Sequence, residues 1–536
     1  MRPEPTAIDA IPSSTGEAAA QIATGPVRAT VLRNITFNWG SLVVGAIISL
    51  VLTPIMIRSL GQYYYGMWVL VMSISDQYGL LDLGMTAGLL RFAGYFQGAK
   101  DRSGLDEIFS VAFLLTVLIS LAICASSAIA AGFLPSFFEI APDHRATFGR
   151  LILVLGLTTA IAFPERMLAA YLRGIQRFDL FNVAATGAVV IRAILFFVAL
   201  SRGSGIITIA VITLAMGGVS FATHYLLIRW ADPELRIRAA HFTMRRLRQL
   251  FGFGIYAFVA SLGTRLITRL DSIVIGRILT LSLIAPFNVA SRLTDYFVGV
   301  FSAVHGPLLS TMSELDGAAK QEELQALFLR SSRYTFLLSL LMGTILVVDG
   351  EAFLKLWLGS SGLDVKLTYK VLVILTVCYA ANQAQLPSWT VIYARAQHQL
   401  LAGLILCEGL VNIALSVYWG RQYGLVGIAL GTTVPAVVHH LLIVPYYALR
   451  VIHLPPSAYL RALLRPLLTG AMFWVLCPYV GPQQPQSVVL LGVRVLLQLV
   501  TFALLIYIVG LPHAERQIIW SAFKRFVANI RSRYAF

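Results

Sequence analysis

Charge is scarce in this chain. Asp, Glu, Lys and Arg make up 12% of its 536 residues, and 58% are apolar; a soluble domain usually carries about 25% charged residues. With a mean hydropathy of +0.78, this balance excludes a soluble globular enzyme and a disordered chain and points to an integral membrane protein. Acidic residues are scarcer still, 25 against 41 Lys and Arg. The four cysteines, Cys124, Cys378, Cys407 and Cys477, form no CxxC or Cys/His spacing, which leaves them as small apolar packing residues. No nucleophile and base constellation stands out. His224, His305, His439 and His440 are scattered without ligand spacing, so they read as satisfied or cavity-facing histidines, and no metal centre is expected.

What the chain does have is long apolar runs. A spanning helix needs about 20 mostly apolar residues, and about fourteen such stretches follow one another, near 35–57, 64–90, 109–134, 148–171, 180–200, 206–228, 252–276, 284–310, 334–349, 369–393, 401–418, 425–448, 462–478 and 488–509. Barrel strands alternate over about ten residues, whereas these runs are continuous, so the expected fold is an all-α polytopic bundle.

With an inward N-terminus, one set of gaps holds Arg28, Arg33, Arg91, Lys100, Arg102, Arg173, Arg177, Arg229, Arg236, Arg238, Arg245, Arg246, Arg248 and most later basic residues. The other set holds far fewer, among them Arg58, Arg145, Arg202, Arg277, Lys355 and Arg421. Basic loops mark the cytoplasmic side, so both termini are expected there. The same bias accounts for the net charge of +16 without a nucleic acid partner; the lipid bilayer suffices. The longest outer gap, near 350–368, is too short for the large catalytic loop of an outward-acting polymerase or ligase.

Two blocks, 38–79 and 257–298, align at a constant offset of 219 residues, placing Arg58 with Arg277 and Asp76 with Asp295. Both halves start on the same side, so the repeats run parallel and can rock about a central cavity. The resulting division is a disordered cytoplasmic tail 1–30, a six-helix half 31–229, a basic cytoplasmic linker 230–248, a second six-helix half 249–450, two additional helices 451–510 and a basic tail 511–536. Residues 1–28 lack an apolar core and read as neither signal peptide nor span.

Against this apolar background arginines stand inside the predicted spans, among them Arg192, Arg265, Arg269, Arg292 and Arg494. Each costs roughly 2.5–3.5 kcal/mol at the bilayer centre, so such side chains are expected to face an interior cavity suited to an anionic substrate.

Asn34, Gly40, Thr53-Pro54, Leu60-Gly61, Tyr65-Gly66-Met67-Trp68, Leu81-Asp82-Leu83-Gly84 and Gly88-Leu89-Leu90-Arg91-Phe92 resemble the polysaccharide transporters of the multidrug/oligosaccharidyl-lipid/polysaccharide exporter superfamily, the Wzx-type flippases. Phe251-Gly252-Phe253-Gly254, Arg269-Leu270-Asp271, Ile275-Gly276, Phe287 to Leu293 and Tyr423 to Thr432 continue the resemblance over about residues 30–450. Arg277-Ile278-Leu279-Thr280 departs from it, lacking a second glycine that many relatives carry. The resemblance implies movement of an undecaprenyl-pyrophosphate-linked oligosaccharide from the inner to the outer leaflet of a bacterial inner (cytoplasmic) membrane. That activity serves cell-surface or exopolysaccharide synthesis and puts a polysaccharide polymerase and export machinery among the expected partners. A multidrug antiporter of the same superfamily and a polytopic glycan-pathway enzyme are the alternatives. Embedded arginines outnumber isolated acids, which disfavours a carrier of cationic drugs.

Arginine meets a pyrophosphate with a planar fork of donors at constant charge. Arg265 and Arg269, four apart on one helix face, are the first candidates for substrate contact, followed by Arg192 and Arg292. Arg292 is also placed to pair with Asp295 within its helix. Asp76, Asp295, Asp271 and Glu408 are the candidates for coupling to a proton or sodium gradient; no other cofactor is expected. Arg494, near the outer end of its span, reads as snorkelling to the interface. Pro54, Pro164, Pro307, Pro387 and Pro435 are positioned to bend helices, and Gly424, Gly427 and Gly431 suit close helix packing.

Overall fold

The computed structural model describes residues 26–268, 270–395, 397, 399–512 and 515–516. The side chains of 26–43, 252–261, 264, 268, 303, 304, 306 and 399 fall outside that description. Among the described residues there is no strand. In lipid a backbone can satisfy its own polar groups only as a helix or a closed barrel, and this chain takes the first course.

The first half comprises α1 (Pro26–Gln77), α2 (Met85–Gly98), α3 (Arg102–Phe137), α4 (Pro142–Gly174), α5 (Phe178–Ser201) and α6 (Ile206–Ala231). The second comprises α7 (Met244–Thr268), α8 (Asp271–Ile278), α9 (Ile284–Gly317), α10 (Gln321–Leu358), α11 (Val365–Ala384), α12 (Leu386–Ala394), α13 (Gln399–Val438) and α14 (Val444–Val451). The chain ends in α15 (Pro456–Leu476) and α16 (Val488–Leu505). Local chemistry starts several of these helices. The Asp101 and Asp364 carboxylates accept from the amides of Gly104 and Leu367, each at 2.9 Å, and Ser487 accepts from Leu490 at 3.2 Å, satisfying amides that a first turn leaves open.

Two helices are continuous only by hydrogen bonding. α1 turns at Gly61 (φ 78°) and α13 at Gly424 (φ 60°), both in the left-handed region that glycine enters without steric penalty. In α13 the arms fold back on each other so tightly that a Cβ on Gly431 would lie 2.6 Å from the Ser416 Oγ, the close packing expected of the glycine spacing. The non-α stretch Leu279–Leu283 between α8 and α9 falls at the 219-residue offset from Gly61, so the repeat extends to its backbone bends.

Ten helical stretches among the described residues are long and apolar enough to cross a membrane, against the fourteen or so expected. Two of them, Val44–Asp82 and Leu400–Val451, contain the glycine bends, so each is one stretch by continuity and two by direction. Other expectations change in detail. α1 begins at Pro26, inside the segment expected to be disordered, and α7 begins at Met244, inside the expected linker. The short span expected at 334–349 is the middle of α10, which runs to Leu358 and reduces the longest expected outer gap to 359–364.

Residues of each set of gaps pair with others of the same set. At one end Arg58 bonds Ser360, Gln62 reaches the Gly362 carbonyl, and Arg277 pairs with Glu139 at 3.0 Å. At the other end Arg102 meets Asp232 at 2.7 Å, Arg246 meets Glu107 at 2.9 Å and Arg395 meets Asp316 at 2.7 Å. Between these ends the outward faces are apolar, with Leu121, Ile129, Leu226 and Val489 all well exposed, a surface that lipid rather than water covers. The largest buried cluster joins the halves, with Ile57, Tyr65 and Leu70 packed among Ile275, Phe287 and Ile428.

The two additional helices dock on α10 through Leu337, Phe473 and Phe502. Arg494 does not snorkel. It is 5% exposed, its Nε donates to Asp349 Oδ1 at 2.6 Å, and its other nitrogens donate to the carbonyls of Pro482 and Pro478. Removing one member of a buried ion pair leaves the other uncompensated. Asp349→Ala should therefore cost about 3–5 kcal/mol, read as a lowered thermal midpoint in detergent; an unchanged midpoint would exclude the pair as the clamp of α16.

Asp232, just beyond α6, accepts from Arg102 and from the Tyr171 hydroxyl. Burial alone would raise its carboxyl, but these bonds outweigh it and hold it below the usual carboxylate range. A group lowered on folding stabilises the fold above its unfolded pKa and stops doing so as pH falls through its folded one. The stability gap between wild type and Asp232→Asn should thus be full near neutrality and close in acid; a gap independent of pH would refute the assignment.

Candidate functional site

Where the two halves meet, the bent part of α1 and the α8–α9 segment enclose a cavity of about 330 Å3. α9 contributes a polar stripe: Asn288, Ser291, Arg292 and Asp295 recur at helical spacing and line it together. Asp271 and Ser272 enter from the start of α8, and Ser49 and Ser73 from α1. Arg292 donates from Nε to Asn288 Oδ1 at 3.0 Å and from Nη1 to Ser49 Oγ at 2.8 Å, so it joins the halves. Asn288 also accepts from the Tyr65 hydroxyl at 2.9 Å. One amide thus serves both a cavity cation and a hydroxyl of the opposite half. The Trp357 indole joins α10 to α1 by donating to the Leu50 carbonyl at 2.6 Å.

Among the residues singled out in the sequence, Arg292, Asp295 and Asp271 come together here. Asp271 is buried, and its Oδ1 accepts from Thr432 on the second arm of α13 at 3.2 Å. Arg265 lies beside the cavity wall: its Nη1 donates to the Asp76 carbonyl, and its guanidinium packs on Gly79, where a side chain would collide with it. Asp76 therefore takes part through its backbone. Arg192 is an exposed residue of α5 and is not among the lining residues. Arg269 lies outside the described residues. The serines and Asn288 carried no charge to mark them, yet the stripe 288, 291, 292, 295 in an apolar span was a legible signal.

Glu408 sits elsewhere, on the first arm of α13, beside a second cavity of about 250 Å3 that it shares with Thr432, His440, Asn382 and Trp389. Contrary to the expectation of scattered histidines, His439 and His440 gather around its carboxylate. His224 instead pairs with Glu165 at 2.9 Å inside the first half, and His305 meets Thr390 at 3.2 Å. A third cavity, about 360 Å3 and almost wholly apolar, is lined by Phe336, Leu340, Val347, Val377, Leu441 and Trp474 between α10, α11 and α15.

A polar cavity thus lies between the two halves of an apolar, membrane-spanning helical bundle. The chain's fold is similar to that of the lipid II flippase MurJ in an inward closed conformation, with a TM-score of 0.68 and 15% identity over 88% of this chain and 98% of that one. An inward-facing multidrug resistance MATE family transporter superposes with a TM-score of 0.63 and 17% identity, over 78% of this chain and 99% of that one. A family model described as polysaccharide biosynthesis protein matches residues 55–366, more than half of the chain, and the chain belongs to that family. In sequence it is 20% identical over 509 residues to the uncharacterized membrane protein EpsK of Bacillus subtilis (strain 168), covering 92% of this chain and 98% of that one. It is 19% identical over 427 residues to a putative O-antigen transporter of Shigella flexneri, covering 77% of this chain and 97% of that one.

Proposed function

We propose that this protein is a flippase that moves an undecaprenyl-pyrophosphate-linked oligosaccharide repeat unit from the inner to the outer leaflet of a bacterial cytoplasmic membrane, by alternating access. The observation that carries the proposal is Arg292. It is a cation in the inter-half cavity, ringed by serine hydroxyls and an amide of the kind that hydrogen-bond sugars, in a chain of the polysaccharide biosynthesis family. A pyrophosphate recruiting Arg292 would compete with Ser49 on the opposite half and with Asn288, which also holds Tyr65. Occupancy and closure are then coupled through shared hydrogen bonds, because a ligand shifts a two-state equilibrium only by what it gains in one state over the other. The apolar cavity against α15 has the lining that a polyprenyl tail needs. The basic ends support cytoplasmic termini, and a polysaccharide polymerase outside is the natural consumer of the product.

Coupling to a proton or sodium gradient is assigned to Asp271 and Asp295, the acids that line the cavity. The same two acids favour a second reading, a carrier of cationic compounds, since one arginine and two aspartates line the described cavity. Transfer of a lipid-pyrophosphate-linked oligosaccharide in proteoliposomes, read with an external glycan-modifying enzyme, separates the two. Arg292→Ala should lower transfer about tenfold or more, since a hydrogen bond to a charged group contributes about 1.5–3 kcal/mol, while protein yield and thermal midpoint hold. Undiminished transfer removes Arg292 from the site, and efflux of a cationic dye without glycan transfer would establish the second reading.

A further inference from the structure

Glu408 presents a problem that the transport cavity does not solve. It is 6% exposed within a membrane-spanning stretch, and among the described residues no lysine or arginine forms an ion pair with it. A buried carboxylate needs a compensating proton or cation. Its neighbours are imidazoles: His439 Nδ1 is hydrogen-bonded to Oε2, and His440 Nε2 lies 3.7 Å from Oε1. One ligand atom from each of the three residues falls within 4.8 Å of the other two, and all three residues are buried. Glu408 Oε1 has no hydrogen-bond partner.

The backbone is built for this grouping. Successive residues of an α-helix point about 100° apart, yet the rings of His439 and His440 lie side by side with centroids 4.9 Å apart. They open a π-helical turn, His439–Ile443, a wide-turn insertion that is frequent at functional positions. Asn382 Nδ2 donates to His440 Nε2 at 2.9 Å, which makes that nitrogen the unprotonated one and gives it a lone pair that an ion would take from the amide, and Trp389 packs edge-on against His439. The adjoining cavity of about 250 Å3 leaves room for a further ligand.

We propose that Glu408, His439 and His440 form a binding site for a divalent transition-metal ion of the zinc class. Two imidazoles and a carboxylate with an open fourth position suit zinc, whereas sodium, magnesium and calcium prefer oxygen ligands. The ion would tie Glu408 on the first arm of α13 to the π-helical turn that ends the second, fixing the hairpin behind Thr432 and Asp271. The site stands independently of the glycan reading, because its test contains no glycan.

The test uses the full-length protein in detergent, its affinity tag removed, stripped with chelator and dialysed against zinc or cobalt(II). Wild type should retain one equivalent of zinc that the His439→Ala/His440→Ala double variant loses, and cobalt should give the visible absorption bands of a four-coordinate site. His224→Ala, which removes a buried histidine beside a glutamate elsewhere, should retain the full equivalent. Glu408→Gln nearly keeps the side chain's shape but removes the anionic ligand, and should also lose the retained equivalent. That milder variant decides the matter if the double variant does not fold. Absence of a retained equivalent in wild type, or retention undiminished in both Glu408→Gln and the double variant, overturns the proposal and leaves a proton as the counter-charge of Glu408.

Discussion

The interior of a bilayer offers no water, and most of this structure follows from that. Each amide and carbonyl must find a partner within the protein, so the membrane-spanning stretches among the described residues are helical. It changes direction where glycine permits a turn, at Gly61 and Gly424. Each charge must likewise be cancelled or face a polar space. Arg494 ends on Asp349 and two proline carbonyls, and Arg265 on the Asp76 carbonyl. Arg292 ends on Asn288 and Ser49 at the wall of the cavity. The last differs in kind, because its partners belong to both halves and its guanidinium borders open space.

That difference connects packing to transport. Apolar burial between the halves is non-directional and tolerates sliding, whereas the contacts around Asn288 are few and geometrically exacting. A rearrangement that trades hydrogen bonds at one end of the cavity for others involving a bound anion changes little buried area, and so can be nearly balanced in free energy. Tyr65 and its partner Asn288 lie on α1 and α9, two helices that line the cavity, whereas Trp357 reaches α1 from α10.

The second half carries more polar chemistry in its interior than the first. The path from Asp271 through Thr432 into the Glu408 cavity is continuous. In the first half, the corresponding interior around Glu165 holds one histidine and Ser220. The repeats thus share their bends and diverge in their buried side chains, as expected if the common backbone serves the rocking motion and the side chains serve separate tasks.

Much of the fold was legible because its signals are local. Apolar length marks spans, and the 219-residue offset located the matched bends. The candidate site was legible in part. Arg292, Asp295 and Asp271 stood out as charges in apolar runs, but charge alone did not distinguish them from Arg192, which is exposed on α5, or from Arg494, which is buried against Asp349. The sequence by itself determined the class of protein and its two-fold construction, since those depend on composition and period along the chain. Tertiary structure decided which charges face a cavity and which are neutralised. Their partners lie 243 residues away for Arg292, 145 for Arg494 and 31 for Glu408, and no periodicity along a helix brings such positions together.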